Sequence, residues 1–209
     1  MASNKKSMSP EQLGHLVQLI RDNIDLASKA CNNFLEGGHS NLKESDQGEP
    51  VEILSHLYLG SSYHASSKRI LDKLGITALL NVSRGCPNYF EDSYEYKCIP
   101  VEDSSSEEIS VWFDEAIDFI DTVKKSNGKV LVHCRAGISR SATICMAYLM
   151  ATKRLRMEEA YEYVKSRRKI ISPNFNFMGQ LLSFEAKLFA AKDFFSLEEC
   201  VNSSVVASL

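Results

Sequence analysis

The sequence lacks the features that mark several large protein classes. No apolar run approaches the ~18 residues of a membrane-spanning helix, so no span is expected. The first thirty residues lack the basic, then apolar, then small-residue order of a secretory signal. Neither sign of charge dominates. With 24 Lys and Arg against 27 Asp and Glu, the net charge of −3 gives no general pull toward nucleic acid or anionic lipid. The six cysteines (Cys31, Cys86, Cys98, Cys134, Cys145, Cys200) form no C-x-x-C pair. Such scatter favours free thiols in a reducing compartment over a disulfide framework or a zinc site. There is no H-E-x-x-H and no obvious two-metal carboxylate set, so neither a metal nor a cofactor is expected. Hydrophobic residues at 44 % and charged residues at 24 % argue against a largely disordered chain or a collagen-like fibre. The 209 residues suit one domain with some chain to spare, on a loose prior of ~100–200 residues per domain.

What is present reads in three parts. Residues 1–50 hold a polar tail, one amphipathic helix and a polar linker. Ser9 is placed to cap that helix, Pro10 suits its first position, and Gln12 can close a capping box. Leu13, Leu16, Val17, Ile20, Ile24, Ala27, Cys31 and Phe34 form one apolar stripe that Gly37–Gly38 ends. Such a stripe must be buried on the main domain, on a second copy or on a partner.

Residues 51–189 alternate strand and helix signals. Strand material occupies Val51–Gly60, Ile76–Val82, Tyr94–Val101 and Lys129–His133. Helices are expected over Ser67–Leu74, over the stripe Ile109, Trp112, Phe113, Ala116, Ile117, Ile120, Val123, then to about Lys153, and from Met157 to Arg168. Ser172–Pro173 is expected to cap a last helix carrying Phe177, Leu181, Leu182, Leu188 and Phe189. Residues 190–209 form a short C-terminal tail that packs or frays. Interleaved strands and helices imply an α/β fold, a central and mostly parallel sheet flanked by helices.

The informative stretch is Val130–Ser141, VLVHCRAGISRS. A buried strand ends in a cysteine, five residues follow, and an arginine opens a helix. A loop between a strand and a helix start directs several backbone N–H groups into one concavity. With the positive end of the helix dipole, that makes an anion site. Gly137 permits the backbone angles of such a loop. Arg140 can grip two oxygens of a tetrahedral anion. Cys134 meets the same field, which favours its thiolate. Taken singly these residues are unremarkable: a small buried cysteine, a solvated arginine, a satisfied core histidine at His133. The combination H-C-x-x-G-x-S-R-S between strand and helix is far more specific than its parts.

His133–Ser141 resembles the signature of the cysteine-dependent protein tyrosine phosphatase superfamily in its dual-specificity form. Val51–Leu54, Leu57–Gly60, Gly75–Val82, Ile99-Pro100-Val101-Glu102-Asp103, Ala147–Met150 and Ile171–Leu182 resemble the catalytic domain of the MAP kinase phosphatases, most closely the inducible, mainly nuclear subgroup. That resemblance implies hydrolysis of phosphotyrosine and phosphoserine or phosphothreonine on a phosphorylated protein, a MAP kinase in the leading reading, in the nucleus or cytoplasm. It implies Cys134 as nucleophile, Arg140 as phosphoryl clamp and Asp103 as general acid and later base. Ser141 would assist departure of the thiolate, and His133 would orient the loop. Amides from Arg135, Ala136, Gly137, Ile138, Ser139 and Arg140 would line the site. Pattern alone does not single out Asp103 from Asp92, Asp114, Asp118 and Asp121; the resemblance does. A thiol ionised while a carboxyl is protonated implies a bell-shaped pH profile with a mildly acidic to neutral optimum.

Other features qualify the resemblance. The fifty residues before the catalytic part are too few for the rhodanese-like kinase-binding domain usual in these enzymes, and they lack its basic docking cluster. Ser104-Ser105-Ser106-Glu107-Glu108 reads as a mobile polar stretch. Arg135 stands where the subgroup carries an uncharged or acidic residue; it points to solvent or favours a polyanionic substrate. Lys153–Arg156 and Lys165–Lys169 read as solvated helix faces, or as import or docking signals. Competing functions are a phosphatase for phosphoinositide or RNA 5′ phosphate, a phosphoprotein-binding adaptor with an inert pocket, and a sulfur-transfer enzyme.

Overall fold

The structure is a computed structural model that describes residues 48–206, with side chains as far as Ala190. The helix expected between residues 9 and 36, and with it any docking or self-association through its stripe, lies outside the described residues. Strands β1 (Val51–Leu54) and β2 (Leu57–Ser61) form an antiparallel hairpin. The other pairings, β2 with β5 (Val130–Cys134), β5 with β3 (Ala78–Asn81) and β3 with β4 (Glu95–Cys98), are parallel. The resulting five-stranded sheet has the order β1-β2-β5-β3-β4. The mostly parallel α/β sheet expected from the sequence is therefore the one observed.

Its connections are helical. Helices α1 (Ser62–Ala65) and α2 (Lys68–Leu74) follow β2, and α3 (Phe113–Lys125) precedes β5. After β5 come α4 (Arg140–Lys153), α5 (Met157–Arg167) and α6 (Phe175–Val206). Side chains alternate across the sheet. Tyr58, Leu79 and Leu131 join Ala65, Leu71, Ile76 and Tyr94 in one apolar layer beside α1 and α2. Leu57, Leu59, Leu80, Val130 and Val132 turn to the other face, toward α3 and α4. Every residue of β5 is buried, as a central parallel strand covered on both faces requires. Helix α4 is buried at every residue from Arg140 to Met150, so it shows no amphipathic stripe.

Some boundaries differ from the sequence reading. The strand expected over Tyr94–Val101 covers only Glu95–Cys98, an edge strand exposed at both ends. Ile99 still donates to the Asn81 carbonyl, but the chain then leaves the sheet. The Ile109 stripe opens as a 3-10 turn over Ile109–Trp112 before α3 begins. The last helix is not capped by Ser172–Pro173. Asn174 Oδ1 accepts the Phe177 amide at 2.9 Å, so Asn174 takes the capping position. That helix continues to Val206, through the stretch whose ordering the sequence left open.

Candidate active site

Ser61, Asn81 and Cys134 all lie at the carboxyl ends of neighbouring parallel strands. Open α/β sheets bind ligands along that edge. From it the chain runs Cys134–Ser139 into the start of α4. What shapes this loop is how its carbonyls are held. The Arg135 carbonyl accepts from Ser62 N at 3.2 Å and Ser62 Oγ at 3.0 Å. The Ala136 and Gly137 carbonyls accept from Arg168 Nη2 at 3.4 Å and Nε at 2.8 Å. The Ile138 carbonyl accepts from Ser172 N at 3.0 Å. The Ser139 carbonyl accepts from both the amide and the hydroxyl of Thr143, each at 2.9 Å. In a trans peptide the C=O and the next N–H point in opposite directions. With every carbonyl from Arg135 to Ser139 drawn outward, the amides of Ala136 to Arg140 point inward, at the start of a helix.

Gly137 sits at φ +69°, and a Cβ there would lie 2.5 Å from the Gly60 carbonyl oxygen. Both its conformation and its neighbour demand glycine. Cys134 lies on the floor of the concavity, 1 % exposed. Its Sγ is 3.2 Å from Ser141 Oγ, so the hydroxyl can donate to an ionised sulfur. Arg140 is also buried. Its Nη1 donates to Ser83 Oγ at 3.3 Å and to the Val101 carbonyl at 3.2 Å. Its Nε makes no hydrogen bond and lies 3.6 Å from Asp103 Oδ2. A buried guanidinium N–H that makes no hydrogen bond is suited to an oxyanion.

Asp103 reaches the same place from the loop beyond β4. Its Oδ1 accepts from Ser139 Oγ at 2.8 Å and from Asn174 Nδ2 at 2.9 Å. The structure thus brings Cys134, Ser141, Arg140, Asp103 and the loop 135–139 together. His133 is fully buried one residue before Cys134, and neither ring nitrogen has a partner in good hydrogen-bonding geometry. Burial pushes its pKa down to about 4, against a weaker opposite pull from the Cys134 main chain, so the ring is neutral at physiological pH. Arg135 is exposed. Ala136 and Ile138 are half-buried.

Sequence reasoning missed several participants. Lys165–Lys169 was expected to be a solvated face, but Arg168 is 6 % exposed and holds the loop carbonyls. Burial lowers its pKa, while the Cys134 sulfur nearby favours the charged form. Ser83 and Asn174 carried no local signal. Only their partners, distant along the chain, reveal them. Among the described residues no group of His, Cys, Asp and Glu could hold a metal ion.

Residues 57–187 match the family model "Dual specificity phosphatase, catalytic domain". The chain belongs to the dual-specificity phosphatase family. It is 68 % identical to Dual specificity protein phosphatase 1 of Mus musculus over 145 residues, 69 % of this chain and 40 % of that one. It is 62 % identical to Dual specificity protein phosphatase 4 of Homo sapiens over 167 residues, 80 % of this chain and 40 % of the other. The chain therefore spans about two-fifths of the length of these relatives. Among solved structures, the crystal structure of DUSP15 superposes with a TM-score of 0.64 at 34 % identity, covering 66 % of this chain and 88 % of that one. The human tyrosine phosphatase-like serine/threonine/tyrosine-interacting protein gives 0.63 at 36 % identity, covering 68 % and 98 %. The matched span of this dual-specificity phosphatase domain includes the whole of His133–Ser141.

Proposed function

We propose that this dual-specificity phosphatase hydrolyses phosphotyrosine and phosphoserine or phosphothreonine on a phosphorylated protein, with a MAP kinase as the leading substrate. One observation carries the chemistry: the cysteine ends the strand beneath a ring of inward amides that leads to an arginine whose Nε makes no hydrogen bond. Phosphoryl transfer passes through a loose transition state, so placement and charge stabilisation dominate. Cys134 attacks phosphorus as the thiolate, forming the S–P bond as the ester P–O bond breaks. Asp103 gives its proton to the leaving oxygen. Asp103 then takes a proton from the water that attacks the cysteinyl phosphate, the S–P bond breaks, and Ser141 donates a hydrogen bond to the departing sulfur. The inward amides and Arg140 hold the equatorial oxygens throughout.

The identity to the two named relatives supports the dual specificity, and the resemblance of the Ile99–Asp103 and Ile171–Leu182 sequences to MAP kinase phosphatases supports the MAP kinase reading. The free thiols of Cys86, Cys98, Cys134 and Cys145 support a reducing compartment, nucleus or cytoplasm. No described helix is long and apolar enough to cross a membrane. The test offers the wild-type chain a doubly phosphorylated kinase activation-loop peptide and, separately, an inositol phospholipid. Faster turnover of the peptide, abolished by Cys134→Ser, supports the proposal. Preference for the lipid, or phosphate binding without hydrolysis of any aryl phosphate, refutes it.

A further inference from the structure

The acid-bearing loop is anchored in a way its composition does not suggest. Val101 and Ile109 are fully buried, and between them the chain offers no apolar side chain to pin it. The anchors come from the first turns of α6. Asn176 Nδ2 donates to the Glu107 carbonyl at 2.6 Å, and Gln180 Nε2 donates to the same oxygen at 2.8 Å. Gln180 Oε1 in turn accepts the Ser110 amide at 2.8 Å. Residues 176 and 180 are four apart, so their side chains share one helix face. Both lone pairs of one loop carbonyl are thereby taken by uncharged amides. On its other flank, the Glu107 carboxylate lies 3.8 Å from Arg84 Nη2. A tight turn links this anchor to the acid. Glu107 N approaches the Ser104 carbonyl at 3.4 Å, and Ser106 N donates to Ser104 Oγ at 3.1 Å. Fixing Glu107 fixes Ser104, and Ser104 adjoins Asp103.

We infer that Asn176 and Gln180 are positioning residues for the general acid: their amides hold the Asp103 loop in its working place before any substrate arrives. The inference rests on the proposed role of Asp103. The side-chain hydrogen bonds of Asn176 and Gln180 go to Glu107 and Ser110 and not to the phosphate loop, so both act through Asp103, and their effect on the first step is that of a displaced proton donor. A good leaving group departs without one, whereas a poor leaving group does not.

The experiment uses the full chain and two substrates, phenyl phosphate with a poor leaving group and dinitrophenyl phosphate with a good one. Asp103→Asn serves as the reference, expected to lose ~100-fold in kcat/KM on phenyl phosphate and little in kcat/KM on the dinitrophenyl ester, because kcat/KM reports only the steps through departure of the alcohol and not the later hydrolysis in which Asp103 acts as base. Asn176→Ala with Gln180→Met is expected to lose ~10-fold in kcat/KM on phenyl phosphate and under ~2-fold in kcat/KM on the dinitrophenyl ester. Asn176→Asp guards against a folding artefact. It keeps the shape and suits a helix N-terminus, but it has no N–H to offer the Glu107 carbonyl. It is expected to unfold cooperatively as the wild type does and still to lose kcat/KM on phenyl phosphate alone. Equal losses on both substrates, or no loss on phenyl phosphate where Asp103→Asn shows one, overturn the inference. If Asp103→Asn itself loses equally on both, the acid assignment fails instead.

Discussion

Ser141 has a hydroxyl in the first turn of a buried helix, and its oxygen lies 3.2 Å from the sulfur of Cys134. A sulfur departing from phosphorus gathers charge that this hydroxyl is placed to meet. Ser141→Ala should leave the first step intact and slow the second, with kcat lower by on the order of 10²-fold. Rapid-quench measurement should then show a burst of released alcohol and an accumulated cysteinyl phosphate. A loss without a burst would mean that Ser141 serves the attack rather than the departure. Gly137 is constrained more simply, by φ +69° and by the nearby Gly60 carbonyl. Gly137→Ala should destabilise the fold by ~1–3 kcal/mol and remove most activity, read by urea unfolding beside an aryl phosphate assay. At this scale much was legible. The residues of the nucleophile motif are contiguous, and a strand followed by a helix orients them. Asp103 was not legible by pattern, because it is brought to the site from a separate loop by contacts with Ser139 and Asn174 that are distant along the chain.

The phosphate loop keeps its form because elements around it hold its back. Helix α1 supplies Ser62, the end of α5 supplies Arg168, and the segment before α6 supplies Ser172. Arg168 matters most among them, since one side chain takes two consecutive carbonyls in a buried setting. Arg168→Met should let those peptides turn, lowering kcat/KM by at least ~10-fold and weakening inhibition by tungstate to a similar degree. Unchanged tungstate inhibition would show that the loop holds itself. The elements were legible to differing degrees for physical reasons. Continuous apolar runs revealed β3 and β5, because both faces of those strands are covered. The edge strand β4 was overdrawn, because Ile99 and Val101 are buried as strand residues are yet lie outside the ladder. The start of α6 was misplaced by a few residues, because Ser172, Pro173 and Asn174 all suit a helix entrance and only the hydrogen bond to Phe177 decides.

Across the whole molecule, buried titratable groups bound the pH range of stability. His133 in the folded state titrates near 4 against 6.5 when free, so below pH 6.5 the unfolded chain binds a proton that the folded chain refuses. Stability is complete above 6.5 and declines as the pH falls toward 4, by up to ~1.4 kcal/mol per pH unit. Burial pushes the Cys145 thiol upward from 9.0, so stability is complete below that value and declines as the pH rises beyond it. Urea midpoints measured across the range should therefore form a plateau between about 6.5 and 9. His133→Asn should flatten the acid side, and an unaltered acid slope would locate the titration elsewhere. The amides of the phosphate loop carry a different consequence. They are aimed by groups that stand behind the loop, which no substrate reaches. The hollow is consequently as well formed for a bare tetrahedral dianion as for an ester. Product release then competes with rebinding, and inorganic phosphate should inhibit with little regard for which ester is being cleaved. Selection among rival substrates then has to come from outside the hollow.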